Sequence, residues 1–322
     1  MDYIVFDLEW NQCPEGKQKE NARLPFEIIE IGAVKLNEDR EITDQFQVII
    51  KPQVYQWIHV RTREVIHMDI KNLENGVPFP SAARQFLEWC GEEYRFCTWG
   101  DLDLMELQRN LKYYHMEALL PGPVSYYDIQ KIFSRNFEDG RSRKSLEYGI
   151  DYLRIEKNMG FHRALADAWY TAKIFQKLDF LCLKENFSID VYQNPKCKKE
   201  EIHIHYKNYT KYISREFASK EAAMKDREVC STKCPQCRKP ARRMIRWFTA
   251  NSRHYYSVSW CEEHGYVKGK VRIKKTDEGK VYAVKTLKVI DEKETKKIQD
   301  RQESLRHKRQ SKRRQEKLMK NR

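Results

Sequence analysis

YIVFDLEW, residues 3–10, reads as a buried strand that carries two carboxylates, Asp7 and Glu9. Successive side chains of a strand point to opposite faces. Ile4, Phe6, Leu8 and Trp10 therefore share one face, and Tyr3, Val5, Asp7 and Glu9 the other. Two like charges side by side in apolar surroundings repel each other and lose hydration, which is costly unless a cation compensates them. An edge strand with its acids in water would satisfy the same pattern.

The neighbouring segments place this strand in a sheet. After a polar loop, FEIIEIGAVKL (26–36) and EITDQFQVIIKP (41–52) are two more strands, and the three predict an antiparallel meander. TREVIHMDIKNL (62–73) and PSAARQFLEWCG (80–91) then carry apolar residues at helical spacing, the second with Pro at its start and Gly after its end. RFCTWG (95–100) and PVSYYDI (123–129) are short strands. LDLMELQRNLKYYHM (102–116), SLEYGIDYL (145–153) and HRALADAWYTAKIFQKL (162–178) are helical. Strands followed by βα alternation predict an α/β fold, a mixed sheet flanked by helices.

The 322 residues carry a net charge of +14, unevenly placed. Residues 1–230 sum to −4, residues 231–290 to +11 and residues 301–322 to +8. A mildly acidic front joined to a basic back predicts a polyanionic partner, because clustered Lys and Arg bind phosphates by releasing counterions. There is no signal-peptide pattern and no apolar run long enough to span a bilayer, so no membrane partner is expected. Nine cysteines, several at metal-ligand spacing, predict reduced thiols and a cytoplasmic location. The expected organisation is a first domain over 1–182, a Lys/Asn/Glu-rich linker over 183–212, a charged helix (214–229) and a small β-rich zinc ribbon within 213–290, and a basic tail over 291–322. The tail is either a solvated helix or disordered.

Two further acidic positions complete a pattern. TWGDLDLMELQRN (98–110) puts Asp101 and Asp103 where a strand passes into a helix, and FHRALADAWYTAKIF (161–175) puts His162 five residues before Asp167. Ala164, Ala166 and Ala168 leave room around that last carboxylate. Taken alone, Asp103 could be an ordinary helix N-terminal acid, Asp167 a surface residue and His162 a capping one. Their order is informative: D-x-E on a first strand, D after a later strand, H-x4-D on a late helix. With EIIEIGAVKL, VIIKP and HMDIKNLENGVPFPSAARQFLEWCG around it, this resembles the DEDDh family of 3′-to-5′ exonucleases, and most closely its ERI-like and KapD-like branch.

The resemblance covers about residues 1–182 and implies a ribonuclease H-like fold. It implies that Asp7 and Glu9, Asp103, and His162 with Asp167 are the catalytic set, with Asp101 competing for the place of Asp103. It also implies two Mg²⁺ or Mn²⁺ held by Asp7, Glu9, Asp103 and Asp167, with His162 as general base. Phosphodiester hydrolysis suits such a cage, since two divalent ions can activate water and stabilise the leaving oxygen. Many members have Thr directly after the motif Glu, where this chain has Trp10. Leu8 and Trp10 are the expected contacts to the terminal nucleotide. RNA is favoured as substrate over DNA, with a catalytically silent nucleic-acid-binding regulator as the alternative from another class.

A second constellation is independent of that family. Cys234 and Cys237, then Cys261 and His264, give C-x2-C-x23-C-x2-H, a zinc-ribbon spacing closed by three thiolates and one imidazole around one structural Zn²⁺. Cys230 is a rival ligand. Arg242, Arg243 and Arg246 beside Trp247 suit phosphate contact with base stacking. The same aromatics could instead fill the ribbon's small core.

Overall fold

The computed structural model describes residues 1–65, 73–140, 142–190, 192–251, 253–276 and 278–320. The chain divides into two compact units, Met1–Gln193 and Asn194–Arg322. Among the described residues no helix is long and apolar enough to cross a membrane.

In the first unit, strands β1 (Asp2–Gln12), β2 (Phe26–Leu36) and β3 (Ile42–Ile49) form the expected antiparallel meander. Helix α1 (Val60–Val65) follows; the rest of the helix expected over 62–73 falls largely outside the described residues. Then come α2 (Phe79–Cys90), β4 (Tyr94–Thr98), α3 (Leu102–Tyr113), β5 (Ser125–Asp128), α4 (Ile129–Phe137), α5 (Leu146–Tyr152), α6 (Ala164–Lys177), α7 (Phe180–Glu185) and β6 (Ser188–Ile189). The sheet order is β3-β2-β1-β4-β5-β6, with β4 and β5 parallel to β1 and each other, and β6 antiparallel. This is the mixed sheet that the strand and helix order predicts, and it fits the ribonuclease H-like fold that the resemblance implies.

β1 is central, which excludes the edge-strand reading. Ile4, Phe6 and Leu8 pack with α2 and α3 on one face, while Tyr3 and Val5 pack with α4, α5 and α6 on the other. Asp7 and Glu9 continue the second row, so they emerge beneath α6 where the apolar core ends.

Two local features bring the other acids to this row. Gly32 pairs with Asp7, and a Cβ on Gly32 would lie 2.0 Å from the Leu165 nitrogen and 2.2 Å from the Ala164 carbonyl carbon. Only a residue without a side chain lets the start of α6 rest on β2 this closely. In addition, the β1–β2 register shifts between Glu9 and Trp10. Asn110 of α3 ties this irregularity down, accepting from the Ile28 N–H at 3.1 Å and donating to the Phe26 carbonyl at 2.9 Å. α3 is thereby fixed against β2, with Asp103 in its first turn.

The second unit is larger than a zinc ribbon. β7 (Ile202–His205), β8 (Tyr209–Phe217), β9 (Arg242–Thr249), β10 (His254–Cys261), β11 (Gly265–Lys275) and β12 (Val281–Val289) form one antiparallel sheet in the order β7-β8-β12-β11-β10-β9. Short helices α8 (Lys220–Lys225) and α9 (Arg227–Cys230) place Ala223 and Val229 against one face. The last helix, α10 (Glu292–Lys320), places Ile298 against the other.

Two expectations are corrected here. Residues 183–212 are not a linker throughout: they hold β6, β7 and the start of β8. The helix expected over 214–229 begins only after Ser219, whose hydroxyl accepts from the Ala222 N–H, because Ser214–Phe217 complete β8. Of the two readings of the tail, the structure gives the helix: α10 is largely exposed, and near its start Ile298, 7% exposed, anchors it to the sheet.

Candidate active site and metal centres

Asp7, Glu9 and Asp167 each offer a carboxylate oxygen within 4.8 Å of the others. Two come from neighbouring outward positions of β1 and the third from the first turn of α6, delivered by the close approach at Gly32. One oxygen of Asp167, Oδ2, accepts from the His162 N–H at 3.2 Å, while Oδ1 is buried with no hydrogen-bond partner. A buried, unpartnered carboxylate oxygen facing two further carboxylates is what a hard divalent cation satisfies. The donor set fits Mg²⁺ or Mn²⁺, being all oxygen.

Asp103 stands slightly apart from this trio. It is buried, and its Oδ1 accepts from the Leu8 N–H at 3.3 Å. Its charge nevertheless acts on Asp7 more strongly than that of Glu9 or Asp167. Asp101 is exposed, whereas Asp103 is buried and acts on Asp7.

The electrostatics follow from burial and crowding. Burial, then the charges of Asp103, Glu9 and Asp167, hold the Asp7 pKa well above the carboxylate range. Glu9 is pushed up to about 8 by burial, then by Asp167 and Glu30. Burial raises Asp103 to about 7 and Asp167 to about 6, the latter held back by its bond to the His162 N–H. Without a cation such a cluster retains protons; a bound cation displaces them. His162 is exposed and adopts a left-handed backbone, φ 63°, which turns its N–H onto Asp167.

Sequence reasoning missed two residues. Glu30, fully buried on β2 opposite Glu9, accepts a two-pronged bond from Arg163, Nε at 3.1 Å and Nη2 at 3.1 Å, and another from Gln47 at 2.6 Å. Arg163 lies between His162 and α6, so this pair fixes the approach of both. The signal was available: Glu30 interrupts the apolar run EIIEIGAV as Asp7 interrupts YIVF.

One expected contact, Leu8, is corrected, whereas Trp10 is only partly buried. Leu8 is 3% exposed, its side chain in the core and its N–H on Asp103, so it presents nothing to a nucleotide. The Trp10 ring lies 5.6 Å from Phe26, packed against the same core.

In the second unit, Cys234, Cys237, Cys261 and His264 bring their ligand atoms together within 4.8 Å. The Cys237 and Cys261 sulfurs are 3.6 Å apart, and His264 Nδ1 is 3.6 Å from Cys234 Sγ and 3.8 Å from Cys261 Sγ. A tetrahedron with Zn–S bonds of ~2.3 Å has edges of about 3.7 Å. The four residues therefore fit Zn²⁺ with no rearrangement. Turns build the site: Arg238 at φ 64° closes the first knuckle, and Gly265 at φ 74° closes the β10–β11 hairpin that carries Cys261 and His264. Cys230 is excluded as a ligand, its thiol directed to the Met224 carbonyl at 2.8 Å. Trp247 is a packing residue: its Nε1 donates to the Cys230 carbonyl at 2.9 Å and its ring covers Gly269. Arg242, Arg243 and Arg246 are exposed on β9.

No curated protein matches the sequence. Among solved structures, the nuclease domain of 3′hExo, a DEDDh family member bound to rAMP, is 19% identical, with a TM-score of 0.49 over 59% of this chain and 96% of that one. Pop2p of S. pombe in its Mg²⁺- and Mn²⁺-bound form is 20% identical, with a TM-score of 0.42 over 54% of this chain and 81% of that one. Exonuclease I of E. coli in complex with an oligonucleotide is 12% identical, with a TM-score of 0.43 over 54% of this chain and 40% of that one. The exonuclease family model RNase_T matches residues 4–175, a span that contains all five residues of the acidic and histidine set, and the chain belongs to this family of nucleic-acid exonucleases.

Proposed function

We propose that the protein is a metal-dependent 3′-to-5′ exonuclease that releases nucleoside 5′-monophosphates, acting on RNA in preference to DNA. The observation that carries this reading is the convergence of Asp7, Glu9 and Asp167 within 4.8 Å, with Asp167 Oδ1 buried and unpartnered. These three would hold one divalent cation, and Asp103 with Asp7 a second. Bound there, such cations supply charge stabilisation at the reacting phosphate.

The chain's own residues do the rest. His162 accepts the proton of the water that attacks phosphorus; the bond from phosphorus to the 3′ oxygen breaks, and the leaving oxygen is protonated from solvent. Glu30 and Arg163 hold the His162–Asp167 segment over β1. One Zn²⁺ at Cys234, Cys237, Cys261 and His264 braces the second unit, and exposed Arg242, Arg243 and Arg246 contact phosphates there. Three thiolate ligands suit a reducing compartment, the cytoplasm. The RNA preference rests on the resemblance to the ERI-like and KapD-like branch.

The test is a 5′-end-labelled assay on matched RNA and DNA oligonucleotides with Mg²⁺, Mn²⁺ or chelator. Stepwise shortening from the 3′ end, faster on RNA, abolished by chelator and by Asp103→Ala, is expected. Binding without shortening would instead support a silent regulator. A full rate in His162→Ala would remove that residue from the role of base.

A further inference from the structure

Alternate residues of a strand share a face, so Lys268, Lys270, Arg272 and Lys274 of β11 line one side of the second sheet. On β10, Tyr256 pairs with Lys270 and His254 with Arg272. α10 is docked on this same side. Ile298 packs with Val258, Phe248 and Tyr256, and the Arg301 guanidinium lies 5.1 Å from the centre of the Tyr256 ring. Arg309 Nη2 donates to the Thr249 carbonyl at 3.0 Å. Cations from the β9–β10 turn, β11 and α10 thus converge on one spot.

His254 reports the local field. Beyond burial, which lowers its pKa most, the charges acting on it are Lys270, Arg272, Arg301 and Arg253. Glu294 of α10 is paired with Lys268 on this side. Among the described residues none of the four cations around His254 is paired with a carboxylate. Like charges held together without a counterion repel, and apolar docking of α10 through Ile298 is what keeps them adjacent. An arrangement of three arginines and a lysine favours phosphate, since guanidinium matches it with two parallel hydrogen bonds.

We propose that Arg253, Lys270, Arg272 and Arg301 form a binding site for the phosphodiester backbone of a nucleic-acid strand, built from residues other than the carboxylate set. The proposal rests on the nuclease reading only for its biological setting; the site is read from its own geometry. Because it contacts phosphates, it is indifferent to sequence.

The experiment is fluorescence anisotropy of the full-length protein with a labelled single-stranded oligonucleotide, with Mg²⁺ and Mn²⁺ omitted to prevent turnover, across a salt series. Each neutralised phosphate contributes about 0.7 to the slope of log K against log salt for single strands. R253Q/K270Q/R272Q/R301Q should therefore flatten the slope by about 3. R253Q/K270Q/R272Q, which leaves the docked helix untouched, should flatten it by about 2. Equal effects are expected on unlike homopolymers. An unchanged slope in the triple variant overturns the proposal. So does loss of binding to phosphatidylserine vesicles with oligonucleotide binding intact, which would make the surface a membrane contact. Both variants should still shorten a dinucleotide at the wild-type rate when metal is present. If the wild type shortens nothing, the exonuclease reading fails while the slope result stands by itself.

Discussion

Gly32→Ala is the perturbation that most directly probes how the fold builds the site, because it changes no charged group. The added carbon would sit 2.0 Å from the Leu165 nitrogen and 2.2 Å from the Ala164 carbonyl carbon, both backbone atoms of the first turn of α6. No rotamer change relieves this, so the helix must retreat by roughly 1.5 Å to regain ordinary contact distance. Overpacking of this kind costs about 1–3 kcal/mol. Asp167 moves with the helix, away from Asp7 and Glu9, and a misplacement of about 1 Å in a catalytic constellation lowers rates on the order of 10²-fold. The assay pairs a urea or thermal midpoint with the initial rate of oligonucleotide shortening at saturating Mg²⁺. Gly160→Ala is the control: it lies in the loop before His162, and a Cβ there meets nothing within 4 Å. It should leave both quantities unchanged. Wild-type stability and rate in Gly32→Ala would refute the argument that this contact sets the position of Asp167.

Further outcomes follow from the same geometry. In chelator, Glu9, Asp103 and Asp167 bind protons more tightly folded than unfolded, so stability is full at low pH and falls as pH rises from about 4 towards 8. Asp167 alone, raised from 3.8 to about 6, contributes on the order of 3 kcal/mol across that window. Mg²⁺ should flatten the profile, and a level profile in chelator would contradict the crowding of these acids. Arg163→Gln leaves Glu30 buried with Gln47 as its remaining side-chain partner and should cost about 2–3 kcal/mol. That is less than for a fully buried pair, because 34% of the Arg163 side chain is exposed, and the rate should fall as well. An unchanged urea midpoint would show that the pair does not brace α6. Cys261→Ser should release Zn²⁺, measured by atomic absorption, and expose residues after Asn194 to protease while Met1–Gln193 persists. Retained zinc would remove Cys261 from the ligand set.

Much of this was legible in the sequence because it obeyed simple periodicities. The alternation in YIVFDLEW gave both faces of β1, and the C-x2-C and C-x2-H spacings picked out four residues that the fold brings together. What escaped had weak local signals. β6 is two residues long, and β7 alternates Ile with His inside a Lys- and Glu-rich stretch, so composition concealed two sheet strands. The register shift beside Glu9 and the seat of α6 on Gly32 are tertiary, visible only when β2 lies beside β1. Leu8 shows the opposite error: an apolar residue near a site was read as a ligand contact, whereas burial was available to it and it takes it; for Trp247 the packing alternative is the one its contacts favour. Glu30 belongs to neither class, since a lone buried acid in a strand has no periodicity to announce its partner.

The central claim is that distant carboxylates meet to hold divalent cations. Crystals soaked in Mn²⁺ and measured at the manganese absorption edge test it most directly. The account predicts anomalous density between Asp7, Glu9 and Asp167, a second peak beside Asp7 and Asp103 when a nucleotide is bound, and loss of the first in Asp167→Ala. Ordered manganese elsewhere with none touching these four side chains would contradict it.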